Sequence, residues 1–384
     1  MKLVIAPDSF KESLDAEGVA HAIAKGIEST LKGVELHCLP VADGGEGTTE
    51  ALIAATSGEK HLAKVTGPLG QPLNAVWGVL GDQNGVPMTA VIETAAASGL
   101  DKIRPEQRDA LMASTYGTGE LIVKALDQGA RRIIMGLGGS ATNDGGMGLL
   151  KALGAKFLDA SSHEIAEGGA ALANLDRIDL TGFDPRLAET EFLVACDVDN
   201  PLLGERGASA IFGPQKGATP SQVQQLDKAL ARLADVSAEL LGKDFRDREG
   251  AGAAGGLGYA LVQFLGARLA PGIDLVLEAV DFNKVLEGAD LVITGEGQMD
   301  GQSLSGKTPV GVARWAKQHN LPVIALCGSI GEGAEGVHDV GIDALFSVVP
   351  GVCSLKDALA NGTENLERTG AQIGRLLSLK TTQL

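Results

Sequence analysis

Short, almost unbroken apolar runs recur along the chain: KLVIAP (2–7), RRIIMGL (131–137), EFLVACD (191–197), ADLVITG (289–295) and PVIALCG (322–328). Each is about as long as one strand. A strand that is apolar on both sides must be covered on both, which is the condition of a parallel sheet flanked by helices. Stretches with helical spacing lie between the runs. In SLDAEGVAHAIAKGIESTL (13–31), Leu14, Val19, Ala22, Ile23 and Ile27 share one face, and TTEALIAATSG (48–58) ends on a glycine. This alternation makes the chain α/β.

At 384 residues the chain exceeds what one core usually serves, so two domains are expected. VELHCLPV (34–41) reads as a second strand and IDALFSVVP (342–350) as the last. Helices are expected over 309–319 and 355–379. The middle differs: 65–100 reads as short strands with the turn signals TGPLGQPLN and GDQNG. Helices are then expected at 117–128, 145–155 and 221–241. Residues 1–64 supply only two strands, too few for a stable parallel sheet. The expected plan is one domain built from 1–64 and 287–384, with a second α/β domain, 65–286, inserted into it.

Ligands of open α/β sheets bind at the carboxyl ends of the strands. There this chain places APDSFKES (6–13), VADGGEGT (41–48), GLGGSATNDGG (136–146), CDVDNPLLG (196–204), TGEGQMDGQSLSGKT (294–308) and CGSIGEG (327–333). Nearly all combine glycine with Asp or Glu, and the 53 glycines are roughly twice the usual share of about 7%. Carboxylates among glycines suit a hard cation, and exposed backbone N–H groups suit phosphate oxygens. Together they indicate a Mg²⁺–nucleotide site facing a small polar substrate, and hence phosphoryl transfer. GLGGSATNDGG, which opens a helix, has more glycines than a turn needs and reads as an anion cradle. Alternatives stand beside these assignments. Asp144 could cap the helix that follows it. Asp43 and Glu46 could mark a helix start, Glu296 and Asp300 could be turn chemistry, Lys11 could be a solvated lysine, and Asp197 and Asp199 could form an Asx-turn.

The net charge of −17 disfavours nucleic acid and anionic membrane as partners. No apolar stretch is long enough for a membrane span, and the five-residue apolar run near Met1 is too short for a signal peptide. Cys38, Cys196, Cys327 and Cys353 are far apart in apolar segments and read as reduced core thiols, which together with the missing export signal points to the cytoplasm. Scattered histidines argue against zinc.

Three pattern matches fail on context. GQSLSGKT (301–308) fits a phosphate loop, but its strand is expected to end near Thr294 and Pro309 follows Thr308 at once. GAGAAG (250–255) follows a charged segment rather than a strand and reads as a flexible or helix-packing run. GLGGSA (136–141) follows a strand, but the acid that a dinucleotide site requires is only Asp159, in a turn. No GxSxG elbow is present.

MKLVIAPDSFKESL, PVADGGEGT, VTGPLG, ETAAASGL, GGSATNDGG, FGPQKGA, GAGAAGGLG and ITGEGQMDGQSLSGK, in that order from Met1 to about Pro350, resemble the first type of bacterial glycerate kinase. The resemblance implies a flavodoxin-like domain with a second α/β domain inserted. It also implies an ATP-dependent, Mg²⁺-requiring kinase that phosphorylates D-glycerate from sugar-acid or glyoxylate catabolism. Members generally give 2-phosphoglycerate, although some are named for the 3-phospho product. One departure is Gln298, where relatives commonly carry Arg, so another cation (Lys11, Lys307 or Lys216) would take its role. Relatives often lack Gly301 and Thr308, which makes the phosphate-loop match look accidental.

The resulting assignment puts ATP phosphates on Gly138, Gly139, Ser140, Thr142, Asn143 and Asp144. Mg²⁺ goes to Asp43, Glu46 and Glu296, with Asp197 as a further candidate. Asp8, Ser9, Gly44, Gly45 and Gln302 are assigned to substrate. Lys11, Asp197, Asp300 and Lys307 are assigned to catalysis, with Asp300 or Asp197 taking the hydroxyl proton. The rival classes are an NAD-dependent hydroxy-acid oxidoreductase and a sugar-acid binding protein.

Overall fold

The computed structural model describes residues 1–45, 47–81, 87–305 and 307–379. Among them the strands are, in chain order, β1 (Lys2–Ile5), β2 (Glu35–Cys38), β3 (Glu59–Thr66), β4 (Pro72–Val79), β5 (Thr89–Glu93), β6 (Arg132–Gly136), β7 (Lys156–Leu158), β8 (Arg177–Asp179), β9 (Glu191–Ala195), β10 (Arg268–Ala270), β11 (Leu291–Met299), β12 (Val323–Ile330) and β13 (Ala344–Ser347). The chain divides into two compact units. The first holds Met1–Asp43, Glu50–Thr56 and Ile273–Leu384, and the second holds Gly44–Thr49 and Ser57–Gly272.

The first unit's sheet runs β2-β1-β11-β12-β13 with every pair parallel. Counted within the unit, this is the doubly wound 2-1-3-4-5 order of flavodoxin-like sheets, whose ligands bind at the switch between the first and third strands. Here that switch lies between β1 and β11. Leu3, Val4, Ile5, Val292, Ile293 and Leu326 are fully buried, as strands without a polar face must be. Helix Ala16–Glu28 starts at Asp15, whose carboxylate accepts the Gly18 amide at 2.7 Å. Its Val19, Ile23 and Ile27 share a core with Leu366 and Ile373 of helix Gly362–Leu379.

The second unit's sheet runs β10-β9-β6-β5-β4-β3, parallel from β10 to β5 and antiparallel from β5 to β3. Ile92, Ile133, Met135, Phe192 and Val194 carry its core, with Leu121, Leu150, Leu230 and Tyr259 from the helices. A capping box of Thr219 and Gln222 starts helix Pro220–Leu241. Among the described residues, no helix is long and apolar enough to cross a membrane.

Several boundaries differ from expectation. Residues 57–64 lie in the second unit because β3 pairs with β4 from Glu59↔Val79 to Thr66↔Pro72. Residues 273–286 lie in the first, where Asp274 accepts the Trp315 indole N–H at 2.9 Å and Phe282 packs on that ring. β11 does not stop at Thr294. It stays paired with β12 as far as Met299↔Ile330. The helix expected over 355–379 is two, Leu355–Ala360 and Gly362–Leu379, separated by Asn361. The four cysteines are free, and Cys353 is exposed rather than in a core. Most of the expected turn GDQNG lies outside the described residues.

Candidate active site

At the carboxyl end of β1 the chain stays tied to β11: the Ala6 amide donates to the Ile293 carbonyl and the Asp8 amide to Gly295, both at 2.8 Å. This carries Asp8 and Ser9 to the switch point. Asp8 Oδ1 accepts the Ser9 amide at 2.6 Å, and Oδ2 accepts the Thr308 hydroxyl at 2.5 Å. On β11, Glu296 Oε1 accepts the Ser303 hydroxyl at 2.5 Å, and Lys307 Nζ stands 4.0 Å from Oε2. Burial pushes the Asp8 carboxyl from 3.8 up to about 6, opposed by the Thr308 hydrogen bond and reinforced by the charge of Asp43. Glu296 is also raised, first by burial and further by Asp8 and Asp300, while Ser303 and Lys307 pull it down. The sequence assigned Asp8 to substrate, Asp43 and Glu296 to Mg²⁺, and Asp300 and Lys307 to catalysis. In this unit they form one electrostatically coupled group.

Beside it is a hollow of about 420 Å³ lined by Gln298, Asp300, Gly301, Gln302 and Glu332. Asp300 accepts the Gln302 amide at 2.9 Å and the Gln298 side-chain amide at 3.0 Å. Lys11 is exposed, and a β-carbon on Gly297 would lie 3.5 Å from its amide, so Lys11 borders the same strand end.

GLGGSATNDGG follows β6 in the second unit, and the side it offers to solvent is narrow. Gly138 and Gly139 are exposed, whereas Thr142, Asn143 and Asp144 are fully buried. Asp144 is an inward brace rather than a ligand-facing acid. It accepts the Thr115 amide and hydroxyl, each at 2.8 Å, and the Gly146 and Gly148 amides, each at 3.1 Å. Asp144 thus bonds to amides at the starts of two helices, Tyr116–Asp127 and Met147–Ala152. Burial raises its carboxyl. Beneath the loop the GAGAAGGLG segment packs so closely that a β-carbon on Gly255, at φ +70°, would overlap the Thr142 carbonyl. Gly44 meets the ends of β6 and β9, where its own β-carbon would overlap Ala195, and Gly45 passes within van der Waals reach of Gly138. Asp197, just past β9, is exposed and accepts the Gly272 amide at 3.0 Å.

The profile of the glycerate kinase family matches residues 3–378. The chain is 53% identical to glycerate kinase of Bacillus subtilis (strain 168) over 382 residues, covering 100% of this chain and 99% of that protein. It is 50% identical to glycerate 2-kinase of Escherichia coli (strain K12), covering 99% and 98% respectively. A crystal structure of a Salmonella typhimurium LT2 protein provisionally named glycerate kinase 2 superposes with a TM-score of 0.91 at 49% identity, over all of both chains. The chain belongs to the glycerate kinase family.

Membership in a kinase family fits the carboxylate group better than it fits the dinucleotide alternative. Asp159, the acid that the alternative requires, closes a turn by accepting the Ser161 and His163 amides at 2.8 and 2.9 Å. Among the described residues, no group of three or more His, Cys, Asp or Glu forms a metal cage, and Glu46 lies outside those residues. Mg²⁺ in phosphoryl transfer needs only one or two carboxylates besides water and phosphate. Asp8 and Glu296 fit that demand: they are hard oxygen donors whose burial and mutual repulsion a divalent cation would relieve.

Two contributors escaped the sequence. Thr308, set aside with the accidental phosphate-loop match, is the buried partner of Asp8. The strand-end argument against that match fails, because β11 ends two residues before Gly301. What remains against it is Pro309 and the engagement of Lys307 and Thr308 with carboxylates. Lys216, named only as a spare cation, is buried under GLGGSATNDGG. Its one sequence signal was its place within FGPQKGA.

Proposed function

We propose that this protein transfers the terminal phosphoryl group of ATP to a hydroxyl of D-glycerate, giving 2-phosphoglycerate, in the cytoplasmic catabolism of glycerate from sugar acids or glyoxylate. The observation that carries the proposal is the coupled carboxylate group of Asp8, Asp43, Glu296 and Asp300 at the switch point of a flavodoxin-like sheet. The name of the 50%-identical Escherichia coli relative, glycerate 2-kinase, supports the position of transfer.

In this reading the backbone amides of the exposed Gly138 and Gly139 hold the nucleotide phosphates. Lys11 and Ser9 hold the glycerate carboxylate. The attacking hydroxyl oxygen forms its bond to the γ-phosphorus as the bond from that phosphorus to the bridging oxygen breaks, and ADP leaves. Asp300 accepts the hydroxyl proton, a modest contribution because the transition state is loose. Lys307, held near Glu296, compensates charge on the transferring group. Asp8 and Glu296 would hold Mg²⁺, which would supply neutralisation of phosphate charge.

The test is ADP release with D-glycerate, L-glycerate and lactate as acceptors. D-glycerate is expected to give turnover above the acceptor-free rate. The other two are expected to give far less, because lactate lacks one hydroxyl and the enantiomer misplaces one. Lys11→Ala and Asp300→Ala should each lower turnover at least about tenfold. ATP consumption that ignores all three acceptors would end the proposal.

A further inference from the structure

Lys216 ends the short turn Pro214–Lys216 and is only 2% exposed. Its ammonium donates to the Ser140 hydroxyl at 3.0 Å and to the Thr142 carbonyl at 2.6 Å, using two of its three donors. Seven residues earlier, the Ser209 hydroxyl accepts from the Asn143 side-chain amide at 2.9 Å. One segment thus grips the glycine loop at three successive polar residues. Burying an ammonium costs several kcal/mol unless it is well compensated, and an apolar side chain of similar volume would fill the space at less cost. The carboxylate that acts on it, Asp144, is already committed to Thr115, Gly146 and Gly148. A lysine buried here points to a use for its charge.

We propose that Lys216 is the positioning residue of the phosphate-binding loop. By pinning Ser140 and the Thr142 carbonyl, it holds the Gly138–Ser140 amides for the nucleotide phosphates and sets a positive charge behind them. The inference rests on the nucleotide reading of this loop. It deepens that reading by naming the group that tunes the loop's affinity for polyanions.

A consequence separates this role from simple packing. Burial holds the Lys216 ammonium down to about 7, with Asp144 pulling the other way. Arg108 also flanks this segment, donating to the Gln215 carbonyl at 3.2 Å, and Glu167 acts on Asp144. At pH 8 much of Lys216 is therefore neutral. A bound triphosphate favours the charged form, so binding must draw a proton from solvent.

Calorimetry of MgATP binding at pH 8, without glycerate, in two buffers of different ionisation enthalpy counts that proton. Uptake of about half a proton or more per nucleotide is expected, and no uptake overturns the proposal. Lys216→Met should abolish the uptake and weaken ATP binding about tenfold or more while leaving the glycerate KM within about twofold. Lys216→Arg should retain affinity without uptake. Wild-type affinity in Lys216→Met, or an equal rise in both KM values, also overturns it. If the Met variant does not fold, the wild-type proton count decides. Gly138→Val distinguishes the two levels of argument. If it weakens ATP binding and Lys216→Met does not, the nucleotide reading stands and this inference falls. If neither weakens it, both fall.

Discussion

Asp8→Asn is expected to make the protein more stable and far less active. The Asp8 carboxyl is raised from 3.8 to about 6 because folding strips it of water. A group whose folded pKa lies above its unfolded value binds more protons when folded, so its ionised form opposes folding at higher pH. At about 1.36 kcal/mol for each factor of ten in proton concentration, the charge costs the fold about 3 kcal/mol at pH 8. By the same linkage the cost is about half that at pH 5. Asparagine removes the charge and keeps an oxygen for the Thr308 hydroxyl and the Ser9 amide, at some fixed cost for its extra N–H groups. The decisive quantity is therefore the change with pH. In urea titrations, the stability gained by the variant should shrink by about 1.4 kcal/mol between pH 8 and pH 5, as the wild-type carboxyl takes up its proton. Turnover should fall by about a hundredfold if Asp8 holds Mg²⁺ as proposed. A stability difference that is the same at both pH values would refute the account of Asp8 as a desolvated carboxylate.

Thr308→Val should raise the Asp8 carboxyl further, by about one to two pH units for a hydrogen bond to a charged group. In the metal-free protein, the pH range over which stability changes as the Asp8 carboxyl titrates, near 6 in the wild type, should move up by that amount; an unmoved range separates Thr308 from Asp8. Gly255→Ala puts a β-carbon into the Thr142 carbonyl at a left-handed position. It should cost about 3 kcal/mol in denaturant unfolding and raise the KM for ATP; stability within about 0.5 kcal/mol of wild type would contradict the interlocked loops.

The architecture was legible where burial alone decides it. KLVIAP, RRIIMGL, EFLVACD and the runs of the C-terminal third have no polar face, so parallel pairing was their only outlet. Strand limits were less legible. The end of β11, Gly295–Glu296–Gly297–Gln298–Met299, has glycine and charge where a strand signal expects apolar residues, and its register with β12 keeps it extended. Residues 57–64 carry no mark of which unit they join, since that depends on the distant partner strand β4.

At the site, the sequence located the loops but not the direction of their side chains. Asp144 looks like any acid beside glycines, and only the approach of Thr115 and the helix starts turns it inward. The glycines of 136–146 divide between two tasks that composition cannot separate. Gly138 and Gly139 are exposed to solvent, while Gly145 and Gly146 let neighbouring side chains close over the loop. Lys216 and Thr308 were obscure for the opposite reason: each acts through a residue far away in sequence.

The central claim is phosphorylation of the secondary hydroxyl of D-glycerate by ATP. The direct measurement is product identity in a reaction coupled to enolase alone, followed by the absorbance of phosphoenolpyruvate. The account predicts that phosphoenolpyruvate appears with ADP when enolase is the sole coupling enzyme. ADP formed without phosphoenolpyruvate until a phosphoglycerate mutase is added would mean transfer to the terminal hydroxyl, and would contradict it.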